Sequence, residues 1–142
     1  MSEAARRPTR VIGMGCQRGC PVSVLMGLIE VMLLEHRVGI GTITALASID
    51  SKSDEQGLLE LAERLSLPLH FLSANELAPY EPQLSHRSAI AFAHTGCYGV
   101  AESAALAMAS RLSGSPGKLL IPRRTCTRAT FALATATSLD SP

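Results

Sequence analysis

An apolar run from Arg10 to Met14 ends in Gly13-Met14-Gly15-Cys16-Gln17-Arg18-Gly19, and Pro21 then opens a long apolar stretch. No other part of the chain constrains the fold as strongly. A short apolar run bounded by glycine reads as a buried strand, and proline favours the first position of a helix. Strand, glycine turn and helix in that order open an α/β unit. The turn also predicts chemistry. Glycine lets backbone N–H groups come close to a ligand, and a helix N-terminus favours negative charge. Arg18 adds a planar cation suited to carboxylate or phosphate. An anion site is therefore expected within residues 10–20.

The rest of the chain continues the alternation. The first helix is expected to run to about Arg37, ended by Gly39 and Gly41, with Thr42 to Ile49 as the second strand. Ser53-Asp54-Glu55-Gln56 reads as a capping box for a helix to about Ser66, with Leu58, Leu61, Ala62 and Leu65 inward. Pro68 to Leu72 is the third strand, and Ser73 caps a short helix over Ala74 to Leu77. Ser85 is placed to cap another through about His94. Gly96 and Gly99 frame a second glycine turn before an Ala-rich helix from Val100 to Leu112. Lys118 to Arg123 and Cys126 to Ala134 read as a hairpin. The expected architecture is a three-layer α/β/α fold with a mostly parallel mixed sheet and a C-terminal antiparallel hairpin at one edge. Residues 10–136 form the domain, flanked by flexible ends at 1–9 and 137–142.

Composition removes several classes of function. The chain is 46% hydrophobic but only 4% aromatic, with no Trp, so its core is aliphatic. A net charge of +1 gives no general attraction to nucleic acid or to a membrane surface. Val22 to Leu34 is apolar, but Ser23, Gly27 and Glu30 interrupt it, and it falls short of the roughly 18 apolar residues of a membrane span. Met1 to Pro8 lacks the apolar centre of a signal peptide. The four cysteines are accordingly expected as reduced thiols in the cytoplasm.

Several motifs invite specific chemistry. Gly13 and Gly15 suggest a dinucleotide fingerprint, but Gly19 comes one residue late and no second domain would hold a hydride acceptor. A phosphatase-type loop needs Arg six residues after its Cys; Cys16 leads to Val22 and Cys20 to Met26. Cys16-x-x-x-Cys20 is not a zinc spacing, His86 and His94 lack paired carboxylates, and no metal site is expected. Cys97, in the second glycine turn, is placed to approach Cys16. Asp54 and Glu55 suit a helix start, whereas Asp50 and Lys52 precede it at the strand's C-terminal end, where open α/β sheets bind ligands. Glu102 falls in the first turn of the Ala-rich helix, as a dipole partner, a general base or an ordering contact to the Gly15 turn. Arg123, Arg124 and Arg128 form the clearest positive cluster.

Four blocks in register resemble one family. Gly13 to Gly19 resembles its opening G-x-G-C-x-R-G, and Ala47 to Leu58 its A-S-x-x-x-K-x-x-E-x-G-L block. Gly99 to Leu106 resembles its V-A-E-x-A-A-L helix, and Thr130 to Ala134 its closing T-x-A-x-A strand. The family is that of the cobalamin-biosynthesis protein CobE and the C-terminal domain of CbiG, and the resemblance spans Val11 to Ala134. Cys20 and the double arginine Arg123-Arg124 depart from its usual residues. The resemblance implies a role in corrin-ring formation without a bound cofactor. CbiG-type proteins open a ring-attached lactone and release acetaldehyde, but the 142-residue length resembles CobE, so that hydrolysis is not carried over.

Corrinoid intermediates are apolar rings edged with carboxylates, matched by cations beside aliphatic walls. The implied cleft has Gly15, Cys16, Arg18 and Gly19 on one wall, Asp50 and Lys52 on another, and Gly99, Arg123 and Arg124 opposite. Glu102 is placed for proton transfer or to orient the cations. The partner is then a precorrin or corrinoid, carried or presented to other pathway enzymes. A hydrolase or isomerase acting on the macrocycle, and a module that docks on pathway enzymes, are the alternatives.

Overall fold

The computed structural model describes residues 8–137. Ten elements follow in order: β1 (Thr9–Cys16), α1 (Val22–Glu35), β2 (Ala45–Ile49), α2 (Gln56–Leu65), β3 (Leu69–Leu72), α3 (Ala74–Leu77), α4 (Ala89–Thr95), α5 (Val100–Ser113), β4 (Lys118–Thr125) and β5 (Ala129–Ala136). The sheet order is β3-β2-β1-β5-β4. β1, β2 and β3 pair in parallel, and β5 runs antiparallel to both β1 and β4. Four strands thus share one direction and β5 alone is reversed, which is the mostly parallel mixed sheet expected. The hairpin does more than extend an edge: β4 forms the edge, while β5 inserts beside β1 at the centre.

The two sheet faces are built differently. One is Leu- and Ile-rich: Ile12, Met14, Leu46, Phe131 and Leu133 meet Leu25 and Ile29 of α1 and Leu58 and Leu61 of α2, all buried. The other is Ala-rich, with Val11, Ala45, Ala47 and Ala134 against Ala104, Ala105 and Ala109 of α5. Small side chains let α5 lie close on the sheet. Gly13 marks the nearest approach: a Cβ there would sit 1.8 Å from the Ala101 carbonyl oxygen. Gly13 and Gly15 therefore lie inside β1; packing requires the glycine at Gly13, whereas a Cβ at Gly15 would meet only ordinary contacts, the nearest at 3.7 Å. In the turn itself only Gly19 takes a left-handed φ, at 74°. Gly57 does for α2 what Gly13 does for α5, since a Cβ there would lie 2.2 Å from the Cys20 carbonyl oxygen.

Local boundaries depart from expectation at a few points. Thr9 is already in β1, and the remaining terminal residues expected to be flexible, 1–7 and 138–142, lie outside the described ones. α1 stops at Glu35, and residues 40–42 form a 3₁₀ turn ahead of β2. Ser53 does not cap α2. It closes a 3₁₀ turn over Asp50–Lys52, and Glu55 takes the N-cap position with its side chain directed elsewhere. The capping box forms instead at Ser73 and Glu76, on α3. Ser88, rather than Ser85, caps α4 through the Ala91 N–H. Among the described residues no helix is long and apolar enough to cross a membrane.

Candidate functional site

A cleft of about 600 Å³ opens at the C-terminal ends of the parallel strands. Gly15 and Ile49 come from those strand ends, and Ala129 and Thr130 from the start of the reversed β5. Cys16, Gln17 and Arg18 supply one lip, from the β1–α1 turn; Ser51 and Lys52 supply the next, from the β2–α2 turn. α4 and the residues leading into α5 form an apolar wall that includes Ile90, Ala91 and Tyr98. Arg123 and residues 126–128 close the circuit from the β4–β5 turn.

The cations in the cleft are of two kinds. Arg18 is already tied: its Nη1 lies 3.2 Å from Asp54 and 3.6 Å from Glu55. Among the described residues Lys52, Arg123 and Arg128 have no carboxylate within 4.0 Å; elsewhere Arg64, Arg87, Arg111 and Arg124 each have one, and Arg10, Arg37 and Lys118 have none. Arg128 is steadied by a neutral contact, Nη2 donating to the Gly19 carbonyl at 3.2 Å. α5 begins at the cleft with Gly99 as N-cap and no side-chain cap, so its first N–H groups and positive dipole end meet the same space. Among the described residues, the charged side chains lining the cleft are the four cations Arg18, Lys52, Arg123 and Arg128 and the carboxylate of Glu102.

Two buried glutamates hold the lips. Glu102, 1% exposed, accepts from the Ser85 N–H at 2.8 Å, the Ser85 hydroxyl and the Arg123 N–H at 2.8 Å. It thereby joins the loop before α4 to β4 and sets where Arg123 leaves the sheet. Glu55, 5% exposed, accepts from the Gly19 N–H at 2.9 Å. Its Oε2 has no hydrogen-bond partner. Gly19 is thus gripped at its N–H by Glu55 and at its carbonyl by Arg128. The Gln17 N–H, donating to the Arg128 carbonyl at 2.9 Å, stitches the two turns together.

The apolar wall has its own fastening. Tyr98 stacks on Phe92 with ring centroids 4.4 Å apart, and the Arg87 guanidinium lies 4.7 Å from the Tyr98 ring. Ile90 projects into solvent beside the cleft, 75% exposed.

Of the residues expected from sequence, Gly15, Cys16, Arg18, Lys52, Gly99, Glu102 and Arg123 gather at the cleft. Gly19, Asp50 and Arg124 do not line it. The Gly19 N–H is spent on Glu55, and Asp50 faces solvent at the start of its 3₁₀ turn. Arg124 follows Arg123 in a strand, and its guanidinium lies 3.9 Å from Glu35 of α1, on the other face of the sheet. Arg128 takes its place in the cleft. Tyr98, Ile90 and His94 were not anticipated there; the glycines bracketing Tyr98 were the available signal.

The thiols are spread over several environments. Burial is the main cause that pushes the Cys16 thiol up to about 11, with nearby Cys20 adding to it and Lys52 and Arg18 opposing. Cys97 does not approach Cys16: it packs on the α5 face and donates to Ser103, while Cys16 packs on the α1 face. Among the described residues no group of three or more His, Cys, Asp or Glu is placed to hold a metal ion.

Comparison with known proteins gives this cleft its context. Residues 10–134 match the family described as cobalamin synthesis G C-terminus. Protein CobE of Sinorhizobium sp. is 36% identical over 124 residues, covering 87% of this chain and 78% of that one. A crystal structure of CobE, a protein from the cobalamin (vitamin B12) biosynthetic pathway, superposes with a TM-score of 0.88 at 46% identity, covering 92% of this chain and 93% of that one. The cobalt-precorrin-5A hydrolase of Priestia megaterium is 38% identical over 95 residues; these are 67% of this chain but only 25% of the hydrolase. The fold, the sequence and the span of the match agree: this chain is a cobalamin-biosynthesis protein and belongs to the family of CobE and the C-terminal domain of CbiG.

Proposed function

We propose that the protein binds a corrin-ring intermediate bearing several carboxylates, in the cytoplasm, and holds or presents it rather than transforming it. The observation that carries this reading is the convergence of Lys52, Arg123 and Arg128, without carboxylate partners among the described residues, with the start of α5 on a cleft with an aliphatic wall. Unpaired cations around an apolar wall match an apolar ring edged with carboxylates. The name of one relative, a cobalt-precorrin-5A hydrolase, points to the same class of ligand. This chain spans a quarter of that hydrolase, so its reaction is not carried over. The groups best suited to chemistry are otherwise engaged. Glu102 is occupied by three donors, and a thiol raised to about 11 leaves Cys16 protonated at neutral pH.

Gel filtration of the purified protein with hydrogenobyrinic acid tests the reading. Pigment is expected to co-elute with wild type, and Arg123→Gln or Arg128→Gln should each weaken uptake about tenfold through loss of a charge-assisted contact. Raised salt should weaken it further. Pigment that never travels with wild type at low salt overturns the reading.

A further inference from the structure

Arg18 is the cation of the opening glycine turn, and among the cations lining the cleft it is the one with carboxylate contacts. All its carboxylate contacts run through Nη1: 3.2 and 3.4 Å to the two oxygens of Asp54, and 3.6 Å to Glu55. The edge formed by Nε and Nη2, which suits a bidentate carboxylate, has no protein acceptor among the described residues. The two acids that share Nη1 are unlike. Asp54 is 71% exposed and Arg18 66%, so their contact is a loose surface pair, longer than a good charge-assisted bond. The side chain of Glu55 is 6% exposed, and its Oε2, which faces Arg18, has no donor at hydrogen-bond distance among the described residues. A buried, unpaired carboxylate oxygen needs a nearby cation. One guanidinium thus serves two carboxylates, one expendable and one not.

We propose that Asp54 is an internal competitor for Arg18: it occupies the guanidinium in the free protein and yields it to a carboxylate of the incoming ligand. Glu55 is the fixed post about which the exchange occurs. Being buried and bonded to the Gly19 N–H at 2.9 Å, it stays with the turn, and Arg18 remains its counter-ion throughout. The open Nε–Nη2 edge of Arg18 can meet a carboxylate from the start, but its charge is shared until Asp54 has left, whereas Lys52, Arg123 and Arg128 are shared with no carboxylate among the described residues. The proposal rests on the cleft reading above and adds a residue outside the cleft that tunes it.

The test is a double-mutant cycle on hydrogenobyrinic acid affinity, followed by absorbance titration. Asp54→Asn, at an exposed position, is expected to bind the pigment roughly two- to fivefold more tightly than wild type. In an Arg18→Gln background the same substitution should change nothing. An affinity unmoved or lowered by Asp54→Asn overturns the proposal. So does an equal gain with and without Arg18, which would make Asp54 a general source of repulsion. The first titration separates the two levels: if wild type takes up no pigment, the cleft reading fails and the competitor with it, while uptake without the coupling overturns the competitor alone.

Discussion

The two lips of the cleft are each fixed by a buried glutamate, and the two carboxylates are filled to different degrees. Glu102 receives two backbone N–H groups and a hydroxyl, leaving neither oxygen bare. Glu55 receives one N–H and keeps Oε2 unpaired beside a loosely held arginine. A saturated carboxylate is a rivet: it fixes the loop around Ser85 and the backbone from which the Arg123 side chain departs. A half-filled one fixes only the backbone of its turn and leaves the neighbouring cation room to change partners. On the proposed reading, the Arg123 lip would recognise a ligand from a fixed backbone and the Arg18 lip through a cation that can change partners.

Removing the rivet should have the largest effect. Glu102→Ala strands the Ser85 and Arg123 N–H groups in a buried site, and roughly 3 kcal/mol or more of stability should be lost. Urea denaturation measures it. Glu55→Ala strands only the Gly19 N–H and also removes a buried oxygen that lacked a donor, so the loss should be about 1–2 kcal/mol. Equal losses would erase the distinction between the lips.

The amide variants sharpen it. At position 102 three donors face two oxygens. A glutamine must turn its NH₂ group toward one of them, so Glu102→Gln should cost about 1–3 kcal/mol. At position 55 the carbonyl oxygen can keep Gly19 while the NH₂ group replaces an oxygen with no donor to lose. Glu55→Gln should therefore stay within about 1 kcal/mol of wild type in the same urea series.

Much of this was legible from the chain alone, for physical reasons. Order and type of the main elements follow from local hydrophobic pattern and glycine placement, and these bring Gly15, Lys52 and Gly99 to one sheet edge regardless of detail. What was not legible depends on distant partners. Ser53 and Gln56 have the spacing of a capping box, but Glu55 is drawn to Gly19, 36 positions away, and the helix starts later. Ser85 looked like a cap, yet its hydroxyl goes to Glu102, 17 positions on. Arg123 and Arg124 are adjacent in a strand and so point to opposite faces, which separates Arg124 from the cleft, whereas Arg128 reaches the cleft from the turn, where no such alternation applies. Nothing local marks the close approach of α5 that the glycine at Gly13 permits.

The smallest expected effect concerns the thiols, one on each lip. Cys126 is exposed on the Arg123 lip, while Cys16 is partly buried beside Arg18. Only the thiolate reacts with iodoacetamide. With its thiol pushed up to about 11, Cys16 should be ionised in about one molecule in a thousand at pH 8. Brief labelling at that pH, read by peptide mass spectrometry, should mark Cys126 and spare Cys16. Because the shift is upward, raising the pH toward 11 should bring Cys16 into reaction, two units later than an ordinary thiol of 9.0. Lys52 and Arg18 pull the other way, since each favours the thiolate. Lys52→Gln should therefore delay Cys16 labelling to still higher pH. Arg18→Gln should do so less, because Lys52 has the larger influence of the two. A Cys16 that labels as fast as Cys126 at pH 8 would mean that the Arg18 lip opens to solvent more widely than its burial implies, and that the adjustable side of the cleft moves as backbone and not as one side chain changing partners.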